Sequence, residues 1–180
     1  MNYKNYTQKA FEIAKAHGFH DKELPLEHYL MLILTEISEL VEADRKSKYA
    51  DIDAMQESLI ADVDDAHWKS EFERYIKDTD YDEMADIAIR IFDLACAFGW
   101  ELTEAHQCDG LKSPTDFNSF TEEAYQLCKY ITNTKDVKGL NLALTYLESM
   151  AEWRDCDLEW HIEQKMKYNN LRAYKHGKKY

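Results

Sequence analysis

Two prolines and five glycines are all that this 180-residue chain carries. A β-rich fold needs many more, because those residues supply the dihedral angles of tight turns. Between them run long, unbroken stretches rich in Ala, Leu, Glu and Lys, which favour helix. The chain therefore reads as all-α, a helical bundle with a four-helix-type core and additional helices. Its length suits a single domain over 1–180. Within it, 1–110 would hold the carboxylate-bearing helices. Residues 117–180 would supply additional helices and a closing C-terminal one, with the loop Gly110 to Asn118 (GLKSPTDFN) as the boundary.

In chain order, a first amphipathic helix spans about Asn5 to His17, with Tyr6, Ala10, Phe11, Ile13 and Ala14 inward and Gly18 as its C-cap. Pro25 sits near the first turn of a second helix ending near Lys46. Lys48 to Asp80 is acidic and weakly periodic; Met55, Leu59, Ile60, Trp68, Phe72, Tyr75 and Ile76 give one or two short helices. A long helix from Asp82 stops at Gly99, and Leu102 to Cys108 adds a short turn. Three more follow at Phe120 to Ile131, Leu140 to Trp153 and Asp157 to Tyr174, before a basic tail, His176 to Tyr180.

Within the second helix, Met31 to Arg45 places Leu32, Ile33, Leu34, Ile37, Leu40, Val41 and Ala43 on one broad apolar arc. Glu36 falls inside that arc and Glu39 at its edge. A carboxylate aimed into a core costs several kcal/mol unless paired, protonated or bound to a cation. The stretch Asp82 to Phe98 is apolar almost all round. Its polar residues beyond Asp82, namely Glu83, Asp86, Arg90 and Asp93, form one stripe less than a quarter-turn wide. Packed together, the two helices would bring Glu36, Glu39, Glu83 and Asp86 to one place. Hard oxygen ligands with no His or Cys among them suit Mg²⁺, or Mn²⁺. Asp64 and His67, three apart, read as a solvated surface pair rather than ligands.

The net charge of −13 argues against a nucleic-acid polymer as partner, since no basic face is evident. Small phosphorylated ligands stay open, because a cation can bridge them. Cys96, Cys108, Cys128 and Cys156 show no CxxC pairing, which fits reduced thiols in the cytoplasm. The first 18 residues have no long apolar run, so neither a signal peptide nor a membrane anchor is expected there.

A faint internal echo accompanies these motifs. Thr121 to Leu127 (TEEAYQL) resembles Leu34 to Leu40 (LTEISEL), with Glu123 at Glu36 and Gln126 at Glu39. A shift of about 55 residues lays Leu140 to His161 over Ala85 to His106, with Lys138 and Asn141 where Glu83 and Asp86 would stand. The chain is either a helical pair duplicated into one degenerate half, or a set of helices alike because they do alike jobs.

Taken together, Thr35-Glu36-x-x-Glu39, Glu83-x-x-Asp86, the flanks SELVEADRK and EMADIAIRIFDLA, and the ending EQKMKYNNLR with HGKKY resemble the MazG-like all-α nucleoside triphosphate pyrophosphohydrolases. That family pairs an EExxE helix with an ExxD helix and closes with a K-xxx-N-xx-R helix, here Lys165, Asn169 and Arg172. Thr35 replaces the first carboxylate, which leaves the number of metal ions open, and Leu102 to Cys156 stands as an insertion. The resemblance implies Mg²⁺-dependent hydrolysis of a nucleoside triphosphate to the monophosphate and pyrophosphate, in nucleotide-pool clean-up. It implies metal on Glu36, Glu39, Glu83 and Asp86, and Glu36 or Glu39 as general base. Phosphate donors would come from Lys165, Asn169, Arg90 and Arg172, and the protein would form a homodimer or higher homo-oligomer.

Rival readings predict different chemistry. A dUTPase-like relative in the same superfamily would act on one base. A ferritin-like di-iron bundle needs Glu-x-x-His pairs, which the chain lacks. A non-catalytic helical module would leave Glu83, Asp86, Arg90 and Asp93 as an internal salt-bridge stripe. His161 reads as a packing histidine, and the four tryptophans as core or interface.

Overall fold

The computed structural model describes residues 1–59, 63–103 and 112–174. It is all-helical over that range: α1 (Tyr3–Ala16), α2 (Leu26–Arg45), α3 (Ile52–Ser58), α4 (Asp65–Tyr75), α5 (Asp80–Ala97), α6 (Phe120–Thr132), α7 (Val137–Trp153) and α8 (Leu158–Asn170). Pro114–Asp116 forms a 3₁₀ turn inside the loop expected there. No helix is long and apolar enough to cross a membrane, and the described cysteines, Cys96, Cys128 and Cys156, are free thiols. Cys108, the Leu102 to Cys108 turn beyond Thr103, Ile60, His106 and the tail His176 to Tyr180 lie outside the described residues.

α5 is the axle, because it is the helix with apolar side chains on nearly every side. Met84, Ala85, Ile87, Ala88, Ile91, Phe92, Leu94 and Ala95 are all fully buried, each large one worth about 1.5–3 kcal/mol over exposure. It packs against α1, α2, α7 and α8, while α6 packs on α2 and α7. Thr79 begins α5 by accepting from the Asp82 amide, and Gly99 ends it with φ +64, a left-handed conformation that favours glycine. α1 starts two residues earlier than its periodicity indicates. It ends as expected at Gly18, φ +80.

The obscure Lys48 to Asp80 stretch resolves into α3 and α4 with a small core of their own. Met55, Trp68, Phe72 and Ile76 close against Tyr168 of α8, whose ring stacks on Phe72 at 4.9 Å. Asp64 caps α4 by accepting from the His67 amide at 2.8 Å, and both residues are exposed, so this pair is a helix start. α7 and α8 have the boundaries that differ most from expectation. α7 begins at Val137 because Asp136 caps it, accepting from the amides of Lys138 and Gly139. α8 stops at Asn170, four residues short, where the chain turns and the Arg172 carbonyl accepts from His17 Nε2 at 2.9 Å. His161 packs as expected, 1% exposed, but neither ring nitrogen finds a partner among the described residues. Burial pushes its pKa down to about 4, so the ring is neutral. Trp153, by contrast, is exposed rather than core.

Candidate metal and nucleotide site

α2 runs without a break from Pro25, so Glu36 keeps its place on the arc that packs against α5. Its side chain is almost wholly buried, and Glu39, one turn on, is exposed. On α5, Glu83 is buried one turn after the helix start, where the positive end of the helix dipole favours negative charge. Oxygens of Glu36, Glu39 and Glu83 all lie within 4.8 Å of one another. Glu83 Oε2 is buried with no hydrogen-bond partner among the described residues. Burial first, and then Asp86, push the Glu83 carboxyl up to about 9; the Glu36 carboxyl is raised by the same two causes, with Arg90 opposing. With protein alone around it, Glu83 holds a proton at neutral pH.

Asp86 sits one turn further and is bound to a cation of the protein. Lys165 Nζ lies 2.7 Å from Asp86 Oδ2 and 2.5 Å from Asp82 Oδ2. Burial works against the charge on Lys165, but Asp86 and Asp82 outweigh it and hold its pKa above the ordinary value. Arg90 is likewise spoken for: Nε donates to Glu36 Oε1 at 3.0 Å, and Nη2 forms an ion pair with the same oxygen. Asp93 accepts from His20 Nε2 at 2.7 Å. Asp86, Arg90 and Asp93 of the α5 stripe therefore pair with α8, α2 and the segment before α2.

All eight residues singled out in the sequence line one cavity of about 260 Å³: Glu36, Glu39, Glu83, Asp86, Arg90, Lys165, Asn169 and Arg172. They do not stand in it equally. Lys165 is 4% exposed and clasped by two carboxylates, whereas Asn169 and Arg172 are half-buried. Arg172 lies past the end of α8, so it reaches the cavity from the following turn and stands over the Tyr168 ring. Thr35 is exposed, and its hydroxyl donates to the Leu32 carbonyl at 2.6 Å.

Asp82 was missed by sequence reasoning. It is 1% exposed, its Oδ2 takes Lys165 and the Asp78 amide, and its Oδ1 has no partner among the described residues. Its spacing of four from Asp86 places the two on one helix face, but nothing local says that Lys165 comes between them. In the echoing half, Glu123 is buried like Glu36, but Arg154 binds both of its carboxylate oxygens. Gln126 stands at the position that corresponds to Glu39.

The donor set fits a small divalent cation: oxygen-only groups, one buried oxygen without a partner, and a carboxyl that burial and the neighbouring Asp86 leave protonated. Compared with family models, with curated proteins and with solved structures, the chain matches none of them.

Proposed function

We propose that this protein is a Mg²⁺-dependent hydrolase that splits a nucleoside triphosphate into the monophosphate and pyrophosphate, as the MazG-like enzymes do. The observation that carries this reading is the Glu36, Glu39 and Glu83 cluster lining a cavity that also presents Asn169 and Arg172. An acidic protein can hold a polyanion there only through cations. Glu36, Glu39 and Glu83 would hold the metal ion, with Asp86 beside them, and the ion would neutralise phosphate oxygens and make the attacked phosphorus more electrophilic.

Of the two candidate bases, Glu39 suits the task better. It is exposed and lines the cavity, whereas Glu36 is buried and bound by Arg90 through a hydrogen bond and an ion pair. A general base must reach the proton of the attacking water. Asn169 and Arg172 would donate to phosphate oxygens as charge builds on them. Lys165 would act behind them, fixing Asp86 through their 2.7 Å contact. Nucleotide clean-up in the cytoplasm and a homodimeric or larger assembly belong to the same proposal, the assembly being read by light scattering.

The deciding experiment is pyrophosphate release from a panel of ribo- and deoxyribonucleoside triphosphates with and without Mg²⁺. Release should require the metal and fall by at least a hundredfold in Glu83→Gln, with helix content unchanged. Full activity in Glu83→Gln would remove Glu83 from the site. A folded wild type that releases nothing would favour a non-catalytic module.

A further inference from the structure

Resting on the reading of the cavity as a nucleotide site, we infer that the site reads guanine, with Asp93 as the specificity residue. The cavity lining has two unlike parts. One is the carboxylate cluster. The other is apolar: Ala10, Ile13 and Ala14 of α1, with Ile89 of α5 and Met166 of α8. Two alanines one turn apart leave an apolar slot beside α5, which suits a flat ring. Asp93 also lines the cavity, on the same stripe of α5 as Asp86 and about 10 Å further along the axis. A triphosphate anchored at the carboxylates would lay its ribose and base along α5 toward it.

Asp93 is held in place for such a task. His20 Nε2 donates to its Oδ1 at 2.7 Å, and the Tyr29 hydroxyl lies 3.3 Å from His20 Nδ1, which accepts from it. Phe11 packs against the His20 ring at 4.3 Å. The imidazole is thereby fixed in one tautomer and orientation. A carboxylate only accepts. Adenine and cytosine place a ring acceptor beside their amino donor, which a carboxylate repels. Uracil and thymine flank one N–H with two carbonyls. Guanine alone among the common bases offers two adjacent donors, N1–H and the 2-amino group, to the two sides of a carboxylate. A matched bidentate pair discriminates by a factor on the order of ten to a hundred.

The test is calorimetric binding of GMP, IMP, AMP, CMP and UMP in magnesium buffer to the wild type and to Asp93→Asn. GMP should bind tightest, IMP (which lacks the 2-amino group) roughly tenfold weaker, and the other three weaker still. Asp93→Asn should bring GMP and IMP to within about threefold of each other. IMP bound as tightly as GMP, or five equal affinities, would overturn this inference and leave the nucleotide site standing. No binding of any nucleotide by folded wild type would overturn both. A uniform loss across all five in Asp93→Asn would show a structural role alone and count against specificity. The wild-type series decides the matter even where the variant does not fold.

Discussion

Lys165 is the residue whose job changes most between sequence and structure. As part of K-xxx-N-xx-R it reads as a phosphate donor; in place, its ammonium is buried between Asp82 and Asp86. Removing one partner of a buried ion pair strands the other charge, at about 3–5 kcal/mol. Lys165→Met should therefore destabilise the fold by that order, seen in urea denaturation, and adding Asp82→Asn should recover part of it. A loss below about 1 kcal/mol would mean that Lys165 neutralises nothing. Asp80 gives a pH-dependent prediction. Burial pushes its carboxyl up to about 6 from an ordinary 3.8. A carboxyl raised on folding favours the native state below its unfolded pKa and loses that contribution as pH rises through the folded value. Asp80→Asn should thus stabilise the protein by on the order of 2 kcal/mol at pH 8 and by almost nothing at pH 4; an equal effect at both would refute the assignment. Glu36 and Glu83 were legible because a carboxylate interrupts an apolar arc. Asp82 was not, because its partner stands 83 positions away and periodicity does not say which helix faces which.

Among the elements, α2 and α5 were legible nearly to the residue, since unbroken apolar arcs with one polar stripe leave little choice of face. α3 and α4 were obscure because their core is small and borrows Tyr168 from α8. No local pattern in Lys48 to Asp80 can announce a distant aromatic. The early end of α8 has a similar cause: the carbonyl of Arg172 is taken by His17 of the α1 terminus. The α1 terminus also separates two glycines that the sequence treats alike. Gly18 and Gly99 both follow a helix with positive φ. A Cβ on Gly99 would meet open space, whereas one on Gly18 would overlap the ring of Tyr174, whose hydroxyl donates to Asp21 at 2.8 Å. Gly99→Ala should cost about 1 kcal/mol, from φ alone. Gly18→Ala should cost more, because the ring must also move. Equal urea midpoints for the two variants would show that the Tyr174 contact contributes nothing.

For the whole molecule, the question is whether the stretch from Leu102 to Cys156 is an appendage or part of the body. Set against the MazG-like pattern that the sequence resembles, it would be an insertion. Its buried residues argue otherwise. Leu127, Ile131, Leu140, Leu144, Leu147 and Met150 are all 0–1% exposed, and they belong to the same apolar cluster as Ile33 of α2 and Ile87 of α5. α6 covers α2, and α7 covers the side of α5 that α1 and α8 leave open. Taking both away would bare a face of the central helix that is wholly apolar, and each large side chain returned to water costs about 1.5–3 kcal/mol. That sum exceeds the 5–15 kcal/mol by which a domain of this size is stable. Joining Glu101 to Asp157 across the deleted stretch should therefore abolish the cooperative thermal transition and most of the helical circular dichroism. If the shortened chain instead melts cooperatively with its helical signal kept, α6 and α7 are an attached pair, and the main core consists of α1, α2, α5 and α8 alone.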